Sequence, residues 1–320
     1  MIAPVVEVVL PTFNGVHYLE AQLASIDAQT LRPLRVLLRD DGSSDGTSAL
    51  ISTLQARYRP WLQVLPADGA LGCTANVNRL LEVTTAPYVA LADQDDLWLP
   101  DKLERSFEQM QQLEQQEGVA TPLLVHGDLA LMDQRGRQLG IRYWRRQRLN
   151  PERTGVIDLA LTNVVTGCTV LLNRALLEQA LPIPAEALVH DWWLAQVASV
   201  RGRIGLVRSP GVLYRQHQTN ALGAPGTTPW VMLKKLRLPA HRRPPALVRT
   251  LALQNSALSQ RLGVPTHPLV GLLQQSRWRR SRRLLSDAAL RRSLRKHGPL
   301  RTWGLWLVLC LASPQPRSTV

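Results

Sequence analysis

Residues 88–103 read YVALADQDDLWLPDKL, and this stretch decides the predicted fold. Its first four residues form a short apolar run, which is typical of a buried strand. Asp93, Asp95 and Asp96 follow directly, and a helical pattern then begins with Asp101 near the positive end of its dipole. A strand that ends in carboxylates and leads into a helix indicates a ligand site at the carboxyl edge of a parallel sheet.

The same alternation of short apolar runs and amphipathic patterns fills the rest of the first hundred residues. Strands are predicted over residues 5–10, 35–39, 62–65 and 88–91. Helical faces are predicted from three sets of apolar residues: Leu19, Leu23 and Ile26; Leu50 and Leu54; and Val77, Leu80 and Leu81. The alternation predicts an α/β fold with a Rossmann-like, mostly parallel sheet that helices cover on both sides.

Beyond residue 100 the pattern is less regular. A long helix is predicted from about residue 100, shorter helices over residues 174–179 and 191–200, and a loop over residues 141–155. Further strands are predicted over residues 123–126, 128–132, 170–172, 205–207 and 212–214. After residue 225 the composition shifts to Arg, Pro and Leu, which predicts an α/β domain over residues 1–225 and a basic, helical C-terminal region over residues 226–320.

The bulk composition is that of a soluble globular protein, because 320 residues with 45% hydrophobic content can bury a full core. Residues 1–10 lack a basic leader and are predicted as a strand rather than a secretory signal. No uncharged apolar run approaches the roughly 18 residues of a membrane-spanning helix. Cys73, Cys168 and Cys310 are scattered, which argues against a disulfide framework or a zinc site and indicates a reducing cytoplasm.

The carboxylates at residues 93–96 carry the strongest chemical signal. Three acids packed this closely repel one another and destabilise the fold unless a cation balances them. Mg²⁺ and Mn²⁺ prefer such oxygen ligands and keep positions open for substrate phosphates. The alternative is a solvated turn that caps the following helix. Asp40 and Asp41, which end the second predicted strand at the same edge, favour the metal.

Two common nucleotide-binding classes are excluded by their missing motifs. A dinucleotide-binding dehydrogenase needs GxGxxG after the first strand, where this chain has PTFNG at residues 11–15. A P-loop enzyme needs GxxxxGK[ST], which is absent. Nucleotidyl transfer to a sugar phosphate stays open as an alternative, although the Gly-rich basic loop that opens such enzymes is not found.

Seven stretches in order resemble the family 2 glycosyltransferases, which have the GT-A nucleotide-diphospho-sugar transferase fold. They are VVLPTFNG (8–15), LLRDDGSSDGT (37–47), LGCTANVNRLL (71–81), YVALADQDDLWLPDKL (88–103), TGCTVLLNR (166–174), HDWW (190–193) and YRQHQTN (214–220). The DQDD and YRQH forms resemble the rhamnosyltransferase-like branch. The resemblance covers about residues 5–220 and implies a GT-A domain followed by the basic helical extension.

The resemblance implies the roles of the donor-side residues. Nucleotide contacts are implied for Pro11, Thr12, Asn14, Asp41 and Asp93, with Asp41 on the nucleobase. Metal contacts are implied for Asp95, Asp96 and His217. This branch has one Asp more than a minimal DxD motif, so the individual tasks of the three aspartates stay open.

The resemblance also implies that Asp191 is the catalytic base. An inverting transfer needs one carboxylate within hydrogen-bond reach of the acceptor hydroxyl. The family usually has Glu-Asp at this point, whereas this chain has His190-Asp191, so the role of His190 stays open. Gly167, His190 and Trp192 are predicted on the acceptor side. As an alternative, Asp191 only caps its helix.

The predicted function is therefore metal-dependent, inverting sugar transfer. The expected donor is a nucleotide-diphosphate sugar, such as dTDP-rhamnose or a UDP-sugar, and the expected metal is Mn²⁺ or Mg²⁺. The expected acceptor is a hydroxyl of a polysaccharide or lipid-linked glycan of a bacterial envelope. The chain is predicted to be cytoplasmic and peripheral on the inner face of the cell membrane.

The net charge of +14 is concentrated in the C-terminal region, where residues 230–320 hold 18 of the 38 Lys and Arg residues and one acid, Asp287. A single amphipathic helix is predicted over residues 272–295. Arginines around Trp278 could bind nucleic acid, but with Trp303 and Trp306 they are also typical of an interfacial membrane segment. We favour an anionic membrane surface and expect no nucleic acid. A solvated tail packed on the domain is the third alternative.

Overall fold

The computed structural model describes residues 6–67, 69–216 and 244–311. Within these ranges one mixed sheet of nine strands forms the centre of the molecule. The strands are β1 (Val6–Thr12), β2 (Arg35–Asp40), β3 (Leu62–Val64), β4 (Tyr88–Leu91), β5 (Leu97–Trp98), β6 (Leu123–Met132), β7 (Gln138–Arg142), β8 (Leu171–Asn173) and β9 (Arg203–Arg215). Their order is β3-β2-β1-β4-β8-β6-β9-β5, and β7 pairs with β6.

Helices lie before, between and after these strands. In the α/β part they are α1 (Leu19–Asp27), α2 (Thr47–Arg57), α3 (Cys73–Glu82), α4 (Lys102–Glu117), α5 (Tyr143–Gln147), α6 (Val156–Leu159), α7 (Arg174–Ala180) and α8 (His190–Arg201). The C-terminal helices are α9 (Pro244–Leu262), α10 (Pro268–Leu273), α11 (Arg277–Ser286), α12 (Ala288–Ser293) and α13 (Pro299–Leu311).

The first half of the sheet is parallel, as the sequence predicts. Strands β3, β2, β1 and β4 run in the same direction, so their carboxyl ends meet at one edge. Alternate residues of β1 face opposite cores because successive side chains of a strand point to opposite faces. Val8 packs in the core that contains Leu23 of α1, and Val9 packs in the core that contains Val77 of α3. Helices therefore cover both faces, which confirms the predicted layers.

The second half of the sheet changes direction at β8, which runs antiparallel to β4 and to β6. The predicted strands over residues 123–126 and 128–132 are one strand, β6, because a register shift between Gly127 and Leu129 lets the pairing with β9 continue. The predicted strands over residues 205–207 and 212–214 likewise lie within β9. The paired strands β6 and β9 thus return the chain to the edge of the sheet where the aspartates at residues 93–96 lie.

The loop predicted over residues 141–155 is wrong in its first half. These residues contain the end of β7 and the short helix α5. The reason is tertiary: Trp144 is buried with its ring 5.4 Å from that of His126, and its backbone N–H donates to Asp128 at 3.2 Å. Packing thus fixes a segment whose basic composition alone predicts no regular structure.

The C-terminal helices pack on the α/β part through an apolar cluster that includes Leu161, Leu251 and Leu272, and α9 also places Leu258 and Leu262 in the core that contains Val77. The single helix predicted over residues 272–295 is wrong, because the chain turns after α10 and again at Asp287. That side chain caps α12 by accepting a 2.9 Å hydrogen bond from the backbone N–H of Leu290. The boundary predicted near residue 225 lies outside the described residues. In the described part, no helix combines the length and apolarity needed to cross a membrane.

Candidate active site

The loops after β1 and β2 are tied together by side chains at the predicted nucleotide edge. Thr12 Oγ1 donates to Asp40 Oδ1 at 3.1 Å. The backbone N–H of Asn14 donates to Ser43 Oγ at 2.8 Å, and Asn14 Oδ1 accepts from Ser44 N at 2.9 Å. Asn14 holds a left-handed backbone with φ 50°, which asparagine tolerates better than most residues. Pro11 precedes them in β1, paired with Arg39 of β2.

Asp41 fixes the loop that leads into α3. Its Oδ1 accepts from Leu71 N at 2.7 Å and its Oδ2 accepts from Gly72 N at 2.8 Å. The buried Arg39 guanidinium also donates to Asp41 Oδ1, at 3.1 Å. Both carboxylate oxygens therefore already accept internal hydrogen bonds, and the nucleobase contact of Asp41 stays a prediction.

Gln94, between the first two aspartates of the cluster, binds the backbone after β1. Its Oε1 accepts from Phe13 N at 2.9 Å and its Nε2 donates to Phe13 O at 2.8 Å. A Cβ at Gly15 would lie 2.2 Å from Gln94 Oε1, so a larger residue there would displace the Gln94 side chain. Gln94 thereby joins the β1 and β4 ends, a role that the sequence did not predict.

Of the three aspartates in the cluster, Asp96 is buried, whereas Asp93 and Asp95 are half-buried. Asp96 is 1% exposed; its Oδ1 accepts from Arg215 N at 3.2 Å, and its Oδ2 has no hydrogen-bond partner among the described residues. Burial, with the charges of Asp93 and Asp95, raises the pKa of Asp96 well above its usual range. Burial and the charges of Asp95 and Asp191 raise the pKa of Asp93 to about 7.

The cluster fits a divalent cation. An orphaned buried carboxylate oxygen beside further carboxylates is the environment that a cation stabilises. Asp93, Asp96 and Cys168 offer ligand atoms that all lie within 4.8 Å of one another. Carboxylate oxygens suit Mg²⁺ and Mn²⁺, and the thiol adds affinity for softer ions. Asp95 is half-buried beside them, while His217 lies outside the described residues.

Asp191, the predicted base, occupies the second position of α8. Its Oδ1 accepts from Asn163 Nδ2 at 3.0 Å and its Oδ2 accepts from Gly167 N at 2.8 Å. Burial raises the pKa of Asp191 above its usual value, against the opposing effect of His190. Gly167, the donor to Asp191, directly precedes Cys168, whose thiol lies within 4.8 Å of ligand atoms of Asp93 and Asp96, so the start of α8 lies close to the end of β4. The structure therefore places Asp191 beside the carboxylate cluster.

The other predicted acceptor-side residues lie around the same helix start. A Cβ at Gly167 would lie 3.0 Å from His190 Nε2, so a larger residue would press the His190 ring away from the turn. Burial lowers the pKa of His190, which favours the neutral imidazole. Trp192 donates from Nε1 to Leu159 O at 2.6 Å and packs against the C-terminal apolar cluster. Its contact with an acceptor stays a prediction.

Cys73 begins α3 directly after Gly72, whose backbone N–H donates to Asp41, and its side chain is partly open to solvent. Loss of hydration, followed by the charges of Asp93, Asp191 and Asp41, raises the pKa of this thiol to about 12. The charges of three aspartates predicted from separate motifs therefore act on one side chain. Sequence reasoning missed Cys73 along with Asn163 and Cys168, because no spacing links these positions to the aspartates.

A strand-end carboxylate cluster and a buried helix-start aspartate thus lie side by side at the carboxyl edge of a mostly parallel α/β sheet. The family model described as Glycosyl transferase family 2 matches residues 7–180. The chain belongs to this family and is a glycosyltransferase that uses a nucleotide sugar. This confirms the predicted family and its rhamnosyltransferase-like character.

Individual relatives are distant. The chain is 25% identical over 231 residues to the dTDP-rhamnosyl transferase RfbG of Shigella flexneri, covering 67% of this chain and 74% of RfbG. It is 27% identical over 172 residues to the putative teichuronic acid biosynthesis glycosyltransferase TuaG of Bacillus subtilis, covering 53% of this chain and 63% of TuaG. The S. aureus TarS 1–349 structure with UDP-GlcNAc has a TM-score of 0.51 at 15% identity, covering 94% of this chain and 83% of that one. This last likeness confirms the GT-A fold.

Proposed function

We propose that the chain is a metal-dependent, inverting glycosyltransferase that moves a sugar from a nucleotide diphosphate to a hydroxyl of a polysaccharide or lipid-linked glycan. The observation that carries the proposal is the position of Asp191. Its carboxylate is fixed by Asn163 and Gly167, and Gly167 is followed by Cys168, which lies with Asp93 and Asp96 in the cluster. A base and a phosphate-side cation site in one cleft are the two parts that such a transfer needs.

The nucleotide is proposed to bind along the ends of β1 and β2, against Pro11, Thr12, Asn14, Asp41 and Asp93. The hydrogen bonds that join these loops hold the edge rigid before the donor arrives. The name of the relative RfbG, a dTDP-rhamnosyl transferase, favours dTDP-rhamnose, with a UDP-sugar as the other candidate.

Asp95 and Asp96 are proposed to hold Mn²⁺ or Mg²⁺, with His217 as a further ligand. The unpartnered Asp96 Oδ2 supports this assignment. A bound divalent ion stabilises the charge that develops on the departing diphosphate. Arg215 holds this part of the cluster in place, since its backbone N–H and its side chain bond to Asp96 and to the Asp95 carbonyl.

In the proposed reaction Asp191 takes the proton of the acceptor hydroxyl. The acceptor oxygen forms a bond to the anomeric carbon while the bond from that carbon to the diphosphate oxygen breaks. Attack from the face opposite the diphosphate inverts the anomeric centre, and the nucleotide diphosphate leaves. Gly167, His190 and Trp192 are proposed on the acceptor side, with neutral His190 next to the base.

The chain is proposed to act in the cytoplasm at the inner face of the cell membrane, in the synthesis of a cell-envelope polysaccharide. The name of the relative TuaG, putative in teichuronic acid biosynthesis, favours this setting. Residues 1–225 are proposed as the catalytic domain and residues 226–320 as a basic helical region. Family membership disfavours the nucleotidyltransferase alternative.

The proposal is tested by nucleotide release from a panel of dTDP-, UDP- and GDP-sugars with Mn²⁺ or Mg²⁺. Release from one donor that stops when a chelator is added supports the proposal. Binding of no donor, or release that persists in the chelator, contradicts the metal-dependent transfer. An anomeric analysis of the product by NMR then decides between inversion and retention.

A further inference from the structure

A cavity of about 810 Å³ lies between the segment around Arg153 and the helices α12 and α13. Three basic side chains from one short stretch line it together with two tryptophans, and we call it the basic groove. These residues are Arg292, Arg295, Lys296, Trp303 and Trp306. None of them belongs to the candidate active site.

The basic groove holds more positive charge than nearby acids balance. Among the described residues that line it, the acid is Asp158, which accepts a 2.8 Å hydrogen bond from Arg153 Nε. Asp287 is occupied at the start of α12. The segments after residue 216 that lie outside the described ranges contain no Asp or Glu. An anion from another molecule is therefore the natural counter-charge of Arg292 and Arg295.

Helix α13 has an apolar stripe on its outer side. Leu300, Trp303, Leu307 and Leu311 are each more than 60% exposed in the described part of the chain. Their spacing of three and four residues places them on one face of the helix. The opposite face, with Leu305 and Leu309, is buried in the C-terminal apolar cluster.

The stripe and the basic groove meet at Trp303, which is 71% exposed and belongs to both. Trp306 is held in place by donating from Nε1 to Leu294 O at 3.3 Å. A row of large apolar side chains beside unbalanced arginines is complementary to an amphiphile, with tryptophan at the boundary between its two parts. Nucleic acid would match the charge but not the leucines.

We propose that the basic groove and the α13 stripe dock on an anionic phospholipid surface. The phosphate head groups bind Arg292, Arg295 and Lys296, and the stripe lies among the first carbons of the acyl chains. Only the role of the docking rests on the proposed function: it would present the active site to an acceptor at that surface. It is a peripheral contact, since the stripe runs along one side of a 13-residue helix.

The docking surface is joined to the active site through the start of α13. Arg301 donates from Nη2 to the backbone oxygen of Gln147, the last residue of α5, at 2.7 Å. Trp144 of α5 donates from Nε1 to Val164 O at 3.3 Å, and the residue before Val164, Asn163, donates to Asp191. A membrane against α13 therefore lies beside the helix start that carries the proposed base, on the acceptor side.

The test is sedimentation of the full chain, treated with nuclease, with vesicles of phosphatidylcholine alone or mixed with phosphatidylglycerol. Wild type is expected to bind the mixed vesicles and not the neutral ones. The groove variant R292Q/R295Q/K296Q is expected to bind about tenfold or more weakly, because each basic residue near an anionic surface adds to the affinity. The stripe variant W303S/L307S is expected to lose binding although its charge is unchanged.

The matched control is R57Q/R79Q/R203Q, which removes the same charge from exposed arginines away from the basic groove. It is expected to bind vesicles like wild type. Equal losses in the groove and control variants, no binding of wild type to mixed vesicles, or full binding by the stripe variant would overturn the docking. Release of the protein from the vesicles by single-stranded DNA, or by inorganic diphosphate at the same phosphate concentration, would also overturn the docking.

Separate measurements in this design test the docking and the proposed function, so either can be contradicted without the other. Nucleotide release in solution without vesicles reports on the active site, and circular dichroism of each variant reports on folding. A chain that releases nucleotide but ignores anionic vesicles contradicts the docking alone. A chain that binds vesicles but releases no nucleotide from any donor contradicts the proposed function alone.

Discussion

The backbone N–H of Gly167 donates to Asp191 Oδ2 over 2.8 Å, across 24 residues of sequence. A Cβ on the same glycine would touch that oxygen at 3.5 Å and crowd His190 Nε2 at 3.0 Å, so a side chain there would shift the start of α8. The turn at residue 167 therefore sets the position of the proposed base. This relationship makes the role of Asp191 testable without removing its carboxylate.

Changing Gly167 to Ala is expected to lower the rate of sugar transfer by about a hundredfold, since misplacing a reacting group by about 1 Å costs that much. Donor binding is expected to stay within about twofold, because the crowding acts on the acceptor side. Steady-state kinetics and nucleotide titration measure the two effects. The control is Gly271→Ala, where a Cβ meets no atom within 4 Å. Equal activity in the two variants would contradict the role of the turn.

Changing Gln94 to Ala is expected to weaken nucleotide binding about tenfold. The substitution removes both hydrogen bonds to Phe13 and frees the loop after β1, so ordering that loop then opposes binding. Isothermal titration with dTDP and UDP measures the change, with the exposed Gln116→Ala as control. An unchanged dissociation constant for Gln94→Ala would show that this loop does not contact the nucleotide.

Cys168 is expected to become a ligand when a thiophilic ion enters the carboxylate cluster. The thiol would lose its proton to solvent and form a sulfur–metal bond, as coordinated thiols do. Titration of wild type with Co²⁺ is expected to give a sulfur-to-cobalt charge-transfer band in the near ultraviolet. The band should vanish in Cys168→Ser and persist in Cys310→Ser. A band that survives in Cys168→Ser would place the cobalt elsewhere.

His126 is expected to make the fold sensitive to acid. Burial lowers its pKa from 6.5 to about 4, so the native state binds fewer protons than the unfolded state between these values. Its contribution to stability is therefore complete above about pH 6.5 and is lost as the pH falls toward 4, amounting to about 3 kcal/mol. Urea unfolding at pH 7.5 and 4.5 should show a smaller difference for His126→Leu than for wild type. If the exposed control His17→Gln reduced the difference in unfolding free energy between the two pH values by the same amount, the assignment to His126 would be refuted.

Local patterns predict much of the first half of the fold. The run at residues 88–91 is a strand with those same bounds, and the apolar faces of α1 and α3 are buried as their spacing predicts. The reason is that a strand or helix with one consistent apolar face carries its own burial signal. Motifs at strand ends then converge because parallel strands share a carboxyl edge.

Contacts between distant segments could not be predicted in the same way. The partners of Asp191 lie 24 and 28 residues away, in a turn and a loop with no periodic pattern. The same holds for Cys168, whose place under Asp93 and Asp96 depends on the antiparallel pairing of β8 with β4. In the C-terminal region, the leucine spacing fits one helix as well as three short ones. The cap at Asp287 decides between them.

The measurement that tests the central claim most directly compares wild type with Asp191→Asn. Asparagine has nearly the same size, so the donor should still bind with an affinity within about threefold of wild type. Transfer to the acceptor should fall by about a thousandfold or more, because the hydroxyl proton has no acceptor in the transition state. If Asp191→Asn transfers sugar at a rate within about tenfold of wild type, Asp191 is not the base and serves only to hold the turn at Gly167.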